Sequence, residues 1–201
     1  DWLDASLQVV AIADARSNPR GALVEEARAK GIRILTGSAV IEARGSKHVT
    51  AARVAAIDVK AHTVTSPGEW LECDLVASSG GYSPVVHLAS HLGGKPIWRE
   101  DILGFVPGEA PQKRVCVGGI NGVYGLGDSL ADGFEGGVRA ASEAGFGPVE
   151  ATLPKALTRL EEPTLALFQV PHEKNTARAP KQFVDLQNDV TAAAIELATR
   201  E

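Results

Sequence analysis

The sequence predicts an α/β fold, and two arrangements of apolar residues carry that prediction. An apolar run over 7–13 precedes a helical pattern over 20–30 and a second apolar run over 32–35, which is the order strand, helix, strand. Residues 52–59 and 63–70 alternate between apolar and polar side chains, which indicates an antiparallel pair joined by a short turn. We therefore expect a βαβ unit followed by a small meander.

The remaining elements follow from apolar runs and prolines. Strands are expected over 37–44 and over 71–79, the second of them buried. A helix is expected over 150–162, where leucines recur on one face, and it ends at Pro163. The proline-punctuated run from there to Pro180 is typical of a linker.

A candidate nucleotide site lies in the glycine-rich segment that begins with an apolar strand at Val115. A strand end that presents Gly127 lets backbone approach a cofactor closely, and Asp128 can accept a hydrogen bond from a ribityl or ribose hydroxyl. Asp132 and Gly133 open the following helix, whose start would face a pyrophosphate. A loop-rich corner that binds no ligand is the alternative.

A second candidate position lies at the end of the first strand. Asp14 can accept hydrogen bonds from the adenosine ribose hydroxyls of NAD, whereas Arg16 can pair with the 2′-phosphate of NADP. Asp14 could instead cap the turn that leads into the following helix. A Gly-x-Gly-x-x-Gly fingerprint should precede such a strand, and if it exists it lies upstream of Asp1.

Charge and cysteine usage exclude several classes of partner. The net charge of −5 comes from scattered residues, which argues against nucleic acid or an anionic membrane. No apolar run approaches the ~20 residues that span a bilayer. Cys73 and Cys116 lie far apart beside apolar runs and show no metal spacing. We expect reduced, packed thiols in a cytoplasmic protein.

No set of residues points to catalysis. His87 and His91 are four residues apart and would share a helix face, which is a spacing that can bind zinc. No carboxylate lies between them as in a His-Glu-x-x-His helix, so surface histidines are the simpler interpretation. A serine elbow and a Cys-x-x-Cys pair are both missing from the sequence. We expect no catalytic residues and no metal site.

The segment around Asp128 resembles the Gly-Asp segment that closes the flavin domain of two-dinucleotide-domain flavoprotein reductases. Ser-Gly-Gly-Tyr-Ser-Pro at 79–84 resembles the Gly-Arg-x-Pro-Asn turn of those enzymes, with Tyr82 in place of the arginine. This resemblance implies an incomplete FAD/NAD(P)-binding, Rossmann-like fold with a small C-terminal helical segment. The expected parts are an NAD(P)-binding-like domain over 1–81, a returning segment of the FAD/NAD-type domain over 82–148, a helix and linker over 149–180, and the start of a small helical domain over 181–201.

Residues 9–16, 79–88 and 167–191 closely resemble the alpha subunit of heterotetrameric sarcosine oxidase, and the resemblance covers essentially the whole chain. It implies that the chain is an internal, nucleotide-binding and non-catalytic part of that subunit. The complex oxidatively demethylates sarcosine to glycine, produces hydrogen peroxide and passes the one-carbon unit to tetrahydrofolate. The isolated fragment would be inactive.

The same resemblance implies cofactors and partners. NAD would be held by the intact alpha subunit, FAD and FMN would be present in the complex, and the beta, gamma and delta subunits would be the partners. Two alternatives stay open. One is a fragment of a FAD-dependent NAD(P)H reductase, which needs a redox partner for its flavin. The other is a subunit-contact scaffold that binds no cofactor, in which Asp14 and Asp128 face solvent or cap turns.

Residues 184–191 also resemble the start of a small iron–sulfur domain that carries the sequence Val-Cys-x-Cys-x-x-Val-Thr. Asp185 and Gln187 stand where the thiolates would be. Carboxylate and amide oxygens are poor ligands for an iron–sulfur cluster, so the resemblance implies a fold kept without its cluster. Independently of that resemblance, Asp189 and Thr191 are expected to cap a helix over 192–200.

Overall fold

The protein is a mixed α/β chain, described here from a computed structural model. The structure describes residues 2–91, 93–147, 152–153, 155–156, 165–185 and 187–201. The chain divides into two compact units, of which the first combines Asp1–Ser78 with Leu165–Glu201 and the second is Ser79–Thr164. The helix predicted over 150–162 and its end at Pro163 lie largely outside the described residues.

The first unit begins with the predicted βαβ arrangement. Strand β1 (Ile12–Asp14) pairs in parallel with β2 (Ile34–Thr36), and helix α1 (Ala22–Ala29) connects them. Gly31 follows α1 with φ of 71°, the left-handed conformation in which a glycine commonly ends a helix. The strand predicted over 7–13 is shorter than expected, because the three-residue β2 gives β1 only three backbone partners.

An antiparallel meander follows. Strand β3 (Ser38–Gly45) pairs with β4 (Val49–Asp58) on one side, and β5 (Thr63–Val64) and β6 (Glu69–Glu72) pair with β4 on the other. The predicted antiparallel pair is therefore confirmed, with a break between β5 and β6. The buried core of this meander comes from alternate residues of its two long strands, namely Ala39, Ile41, Ala55 and Ile57.

The buried strand predicted over 71–79 is wrong. Strand β6 ends at Glu72, which lies opposite Ala51, and Cys73 N donates one further hydrogen bond to Thr50 O at 3.2 Å. Since β4 begins at residue 49, the chain has no further partner in that direction. Leu75, at the centre of the predicted strand, is 69% exposed.

The described part of the second unit consists of short elements and one long helix. Helix α2 (His87–Ser90) is followed by an antiparallel pair of strands, β7 (Ile97–Arg99) and β8 (Gly104–Val106). A 3₁₀ turn over Gly118–Asn121 then leads into helix α3 (Leu126–Glu143).

Two predictions for this unit are corrected. The apolar residues 115–117 form no strand, and they lie along α3 instead. Helix α3 begins at Leu126, six residues before the predicted start at Asp132. Glycines at 127 and 133 lower the intrinsic helix propensity of this stretch, but packing against the rest of the unit stabilises the helix despite them.

The chain returns to the first unit in its last segment. Val170 packs against the meander core, and Gln182 bonds both to Val170 N at 2.9 Å and to Val170 O at 2.8 Å. Arg53 on β4 donates from both terminal nitrogens to the carboxylate of Glu173. Part of the residues predicted to be a linker therefore contacts the first unit, with Pro171 among the most deeply buried side chains, while Phe168 is 77% exposed.

The C-terminal elements are small. Strand β9 (Phe183–Asp185) pairs with β10 (Val190–Thr191), which leads directly into helix α4 (Ala192–Ala198). Thr191 Oγ1 accepts a hydrogen bond from Ala194 N at 3.2 Å, so the cap predicted for Thr191 is confirmed. Asp189 does not cap the helix, because it lies before β10 in the left-handed conformation, with φ of 55°. Asp185 accepts hydrogen bonds from the backbone of Gln187 and Asn188, and its carboxylate stabilises the turn between the two strands.

The packing of α3 against 115–117 predicts opposite effects for two adjacent glycines. A Cβ at Gly136 would lie 2.4 Å from Val117 Cγ1, whereas a Cβ at Gly137 meets nothing within 4 Å. We expect Gly136→Ala to lower the free energy of unfolding by about 1–3 kcal/mol through overpacking. Gly137→Ala should raise it by about 0.5–1 kcal/mol through helix propensity.

Urea unfolding of the two variants beside the parent chain measures both effects. If Gly136→Ala and Gly137→Ala shifted the urea midpoint by the same small amount, the packing of α3 on Val117 would be contradicted.

Candidate functional site

Asp14 and Arg16 form a compact ion pair at the carboxyl end of β1. Asp14 Oδ1 accepts hydrogen bonds from Arg16 N at 2.9 Å and from Arg16 Nε at 3.0 Å, and Oδ2 accepts one from Arg16 Nη2 at 2.7 Å. The pair lies at the edge of a parallel sheet where α/β proteins bind ligands. The sequence predicted that each residue could contribute there, but not that they bind each other.

Asp14 also caps the turn after β1. Asp14 Oδ1 accepts a hydrogen bond from the backbone N–H of the residue two positions later in the chain, which is the contact that defines an Asx-turn. It does not cap α1, whose N-cap residue is Gly21. The turn interpretation is therefore confirmed, and it leaves the carboxylate at the strand end where a ligand could reach it.

The turn is fixed to the meander through one glycine. Gly37 N donates to Arg16 O at 2.8 Å, and Gly37 O accepts from Ile57 N on β4 at 2.8 Å. Gly37 has φ of 58°, a left-handed conformation that glycine adopts without strain. The backbone that carries the ion pair is thus tied to the longest strand of this unit.

Hydrogen bonds from the Arg16 side chain lower the pKa of Asp14, which outweighs the opposing effect of burial. The bond from the Arg16 backbone N–H lowers this pKa further. The side chains are 18% exposed for Asp14 and 30% exposed for Arg16. The site therefore presents an ionised, oriented carboxylate of which a part reaches solvent.

The residues fit one part of a dinucleotide site. An ionised carboxylate has about four acceptor positions, and Arg16 fills three of those on Asp14. The remaining position, on Oδ2, can accept one ribose hydroxyl. One hydrogen bond would bind the ribose more weakly than the contacts with both ribose hydroxyls that the sequence predicted.

The other four candidate residues, Gly127, Asp128, Asp132 and Gly133, lie together on α3 in the second unit. Gly127 and Asp128 belong to the first helical turn, and Gly127 is therefore not the end of a strand. Asp132 and Gly133 lie in the following turn and do not open the helix. Their role in binding a cofactor stays a prediction.

The two aspartates of α3 each contact the chain that precedes the helix. Asp132 Oδ2 accepts a hydrogen bond from Gly118 N at 2.6 Å, which ties α3 to the 3₁₀ turn. Asp128 Oδ2 lies 2.7 Å from the place that a Cβ on the N-cap residue Gly125 would occupy. Negative charge is favourable at a helix N-terminus, but a pyrophosphate placed there would also meet the Asp128 carboxylate.

Gly133 faces open space, since a Cβ at this position meets no atom within 4 Å. Nothing in the described chain therefore requires a glycine at this position. An open glycine on a helix is compatible with close approach of a ligand. The helix start on which the sequence prediction for Gly133 rested lies at Leu126 instead.

An aromatic pair in the second unit was missed from the sequence. The rings of Tyr82 and Tyr124 lie 5.2 Å apart, and Tyr124 Oη donates to Tyr82 O at 3.3 Å. Burial raises the pKa of Tyr124, and the charge of Arg99 opposes this. The two tyrosines are distant in sequence, so local patterning held no signal of their contact.

The histidine and cysteine predictions can be placed on the structure. His87 begins α2 and His91 follows its last residue, so both lie on one short helical turn. Across the described ranges, no group of three or more His, Cys, Asp or Glu side chains could hold a metal. Cys73 and Cys116 are free thiols of intermediate burial. Among the helices that the structure describes, none is both long and apolar enough to cross a bilayer.

The first unit is thus an α/β structure with a parallel βαβ unit, and the first strand of that unit ends in an ionised carboxylate. The chain is 36% identical over 201 residues to the alpha subunit of sarcosine oxidase from Corynebacterium sp. (strain U-96) and 32% identical over 199 residues to that from Corynebacterium sp. (strain P-1). The alpha subunit from Rhizobium meliloti (strain 1021) is 32% identical over 200 residues.

These matches confirm the resemblance to sarcosine oxidase alpha subunits. They cover 98% of this chain, and the chain spans 18–20% of the length of these relatives. No protein-family model matches the chain. A crystal structure of L-proline dehydrogenase from P. horikoshii is similar over 70% of this chain and 27% of its own, at 16% identity and a TM-score of 0.43, which does not establish a shared fold.

The lowered pKa of Asp14 predicts a pH-dependent contribution to stability. The Asp14–Arg16 pair stabilises the fold while Asp14 is ionised, so its contribution is complete above the unfolded-state pKa of about 3.9. The contribution is lost as the pH falls from there through the lower pKa of the folded state. Asp14→Asn should therefore cost about 1 kcal/mol at pH 7 and progressively less in acid.

Urea titrations of the parent chain and the variant between pH 7 and pH 2 measure this difference. Asp58→Asn, which removes a negative charge from the exposed turn at Lys60 and Ala61, is the control for loss of a carboxylate from an Asx-turn, since an asparagine oxygen can accept the same backbone hydrogen bonds. A difference at Asp14 that stays constant down to pH 2 would contradict the ion-pair origin.

Proposed function

We propose that this chain is a nucleotide-binding, non-catalytic internal part of a sarcosine oxidase alpha subunit. Similarity to three such subunits over 98% of the chain supports this assignment. The relatives' names describe an oxidoreductase with more than one subunit. On this proposal the complete complex would supply the catalytic residues that the sequence of this segment lacks.

The proposed nucleotide is NAD, and the position of Asp14 carries that choice. Asp14 ends β1 of a parallel pair, is held ionised by Arg16 and keeps one acceptor position on Oδ2. A ribose hydroxyl can donate to that position. NAD carries hydride when bound, and the contribution proposed for this segment is to hold the adenosine half of the nucleotide in place.

In the proposed complex, sarcosine is oxidatively demethylated to glycine, hydrogen peroxide is formed and the one-carbon unit passes to tetrahydrofolate. FAD and FMN would serve the oxidation together with the beta, gamma and delta subunits, in the cytoplasm. Asp128, Asp132 and Gly133 would border a nucleotide groove on the second unit, with Gly127 beside them. Asp128 is exposed, and a Cβ at Gly133 would meet no atom within 4 Å, so a ligand could approach both positions.

The test is acid release of nucleotides from the complete protein that carries this segment, purified together with the subunits that accompany it. We expect NAD to be released beside flavin from the parent protein. Asp14→Asn should lower the NAD content about tenfold, because a hydrogen bond to a charged acceptor contributes about 1.5–3 kcal/mol. Asp58→Asn should leave the NAD content unchanged, since its carboxylate accepts hydrogen bonds from Lys60 N and Ala61 N in the exposed turn after β4.

The alternatives give different results in the same assay. Release of FAD alone, with oxidation of NADH by the purified protein, would identify a FAD-dependent NAD(P)H reductase. Release of no nucleotide at all would identify a subunit-contact scaffold. Either result would reject the proposal.

A further inference from the structure

We propose that the exposed side of the β7–β8 hairpin is a docking surface for a partner protein chain that presents an arginine. The surface consists of Trp98, Glu100 and Phe105, and we call it the hairpin surface. None of the residues proposed to bind nucleotide belongs to it. The inference rests on the proposed function only in requiring that other subunits accompany this chain.

Strand pairing places two aromatic rings on the same side of the hairpin. Trp98 lies directly opposite Phe105 in the antiparallel register, and successive side chains of each strand point to opposite sides. Val106, on the other side, is 3% exposed, whereas Trp98 and Phe105 are 44% and 52% exposed. Large aromatic side chains that are paired across two strands and left partly in solvent are typical of an interaction surface.

Contacts within the hairpin hold the two rings in place. Their centroids lie 5.1 Å apart in an edge-to-face arrangement, which is a favourable geometry for an aromatic pair. Trp98 Nε1 donates a hydrogen bond to Glu100 Oε2 at 2.7 Å, so the polar atom of the indole is satisfied without a partner. Side chains that are fixed in this way lose little conformational entropy when they bind.

The charge beside the rings favours a cation. Glu100 accepts the bond from Trp98, and among the residues that the structure describes no Lys, Arg or His side chain forms an ion pair with Glu100. Asp101 differs, because Arg99 donates to both of its carboxylate oxygens. Arg99 also donates to Asn121 O at 3.0 Å, so each of its three nitrogens donates a hydrogen bond. The negative charge of Glu100 therefore lies unpaired beside exposed aromatic rings.

Arginine fits this arrangement better than other side chains do. A guanidinium can stack on an aromatic face through its planar π-system while its N–H groups donate to a carboxylate. Lysine offers a point charge without the planar stack, and an apolar partner would leave the Glu100 carboxylate without a counter-charge. The net charge of −5 on the chain also favours association with a positively charged surface.

The test places a photo-cross-linking side chain on the hairpin surface of the complete protein, purified together with the subunits that accompany it. The variant is Phe105→p-benzoylphenylalanine, which keeps an aromatic ring at the exposed position. Irradiation, digestion with a protease that cuts at acidic residues, and mass spectrometry identify the peptide that contacts the ring. We expect a peptide of a different subunit, with an arginine next to the cross-link. The same replacement at Phe168, an exposed ring of the first unit, is the control and should not capture that peptide.

Further substitutions in the cross-linking variant separate the charge from the ring. Glu100→Gln keeps an oxygen that can accept the bond from Trp98 and removes only the charge, so it should lower the cross-link yield about threefold. Trp98→Leu keeps an apolar side chain but removes the π-system, and it should lower the yield by a similar factor. Glu109→Gln, which alters an exposed glutamate of the same unit, is the matched control and should leave the yield unchanged.

Reversal of the charge gives the decisive comparison. Glu100→Arg should abolish the cross-link, because like charges at a contact repel. Exchange of the cross-linked arginine of the partner for glutamate should then restore it. Loss and recovery in this order support an arginine at the hairpin surface.

The other results overturn the inference. They are a cross-link within the same chain or to a second copy of it, no cross-link at all, a captured peptide without a nearby arginine, and a yield that Glu100→Gln and Trp98→Leu leave unchanged. If the other subunits co-purify, the proposed function stands in each of these cases. Purification of the complete protein without any other subunit would overturn both the inference and the proposed complex.

Discussion

The antiparallel ladder of β4 is the constraint on which the rest of the first unit depends. Val49–Asp58 pairs with strands on both sides and contributes Ala55 and Ile57 to the core. Through Gly37, the same strand holds the turn that carries Arg16. Through Arg53, it holds the segment that contains Glu173. Backbone pairing at this strand therefore positions both the candidate site and the returning chain.

The carboxylate at the end of β1 is oriented by a local ion pair. Asp14 alone could serve as a ribose acceptor, and Arg16 alone could serve as a phosphate ligand. When the two bind each other, the carboxylate is stabilised in its ionised form and the guanidinium is occupied. The pair is partly exposed, so a ligand can reach it while solvent weakens the pairing only in part.

In the second unit, packing determines which glycines of α3 could carry a side chain. Gly136 fits against Val117 and leaves no room for a side chain, whereas Gly133 and Gly137 meet open space. Asp132 fastens the helix to Gly118 across the preceding loop. A helix that carries this many glycines is stabilised by such tertiary contacts, because the intrinsic propensity of its sequence is low.

Sequence by itself determined the elements whose signals are local. The period of apolar residues in α1, the alternation along β4 and the oxygen of Thr191 before α4 each act within a few residues, and these predictions are confirmed. The resemblance to sarcosine oxidase alpha subunits could also be recognised from the sequence, because the similar residues are spread over the whole chain.

Tertiary structure decided what depends on partners distant in sequence. The strand predicted over 71–79 fails because β4 offers no further backbone groups beyond its first residues. Helix α3 begins earlier than the predicted start at Asp132, because it packs against the residues that precede it. The pairing of Asp14 with Arg16 needed the geometry of the turn, since a sequence spacing of two residues does not say which way either side chain points. Strand ends, helix starts and ion pairs are set by which groups meet in space, and the order of residues alone does not contain that information.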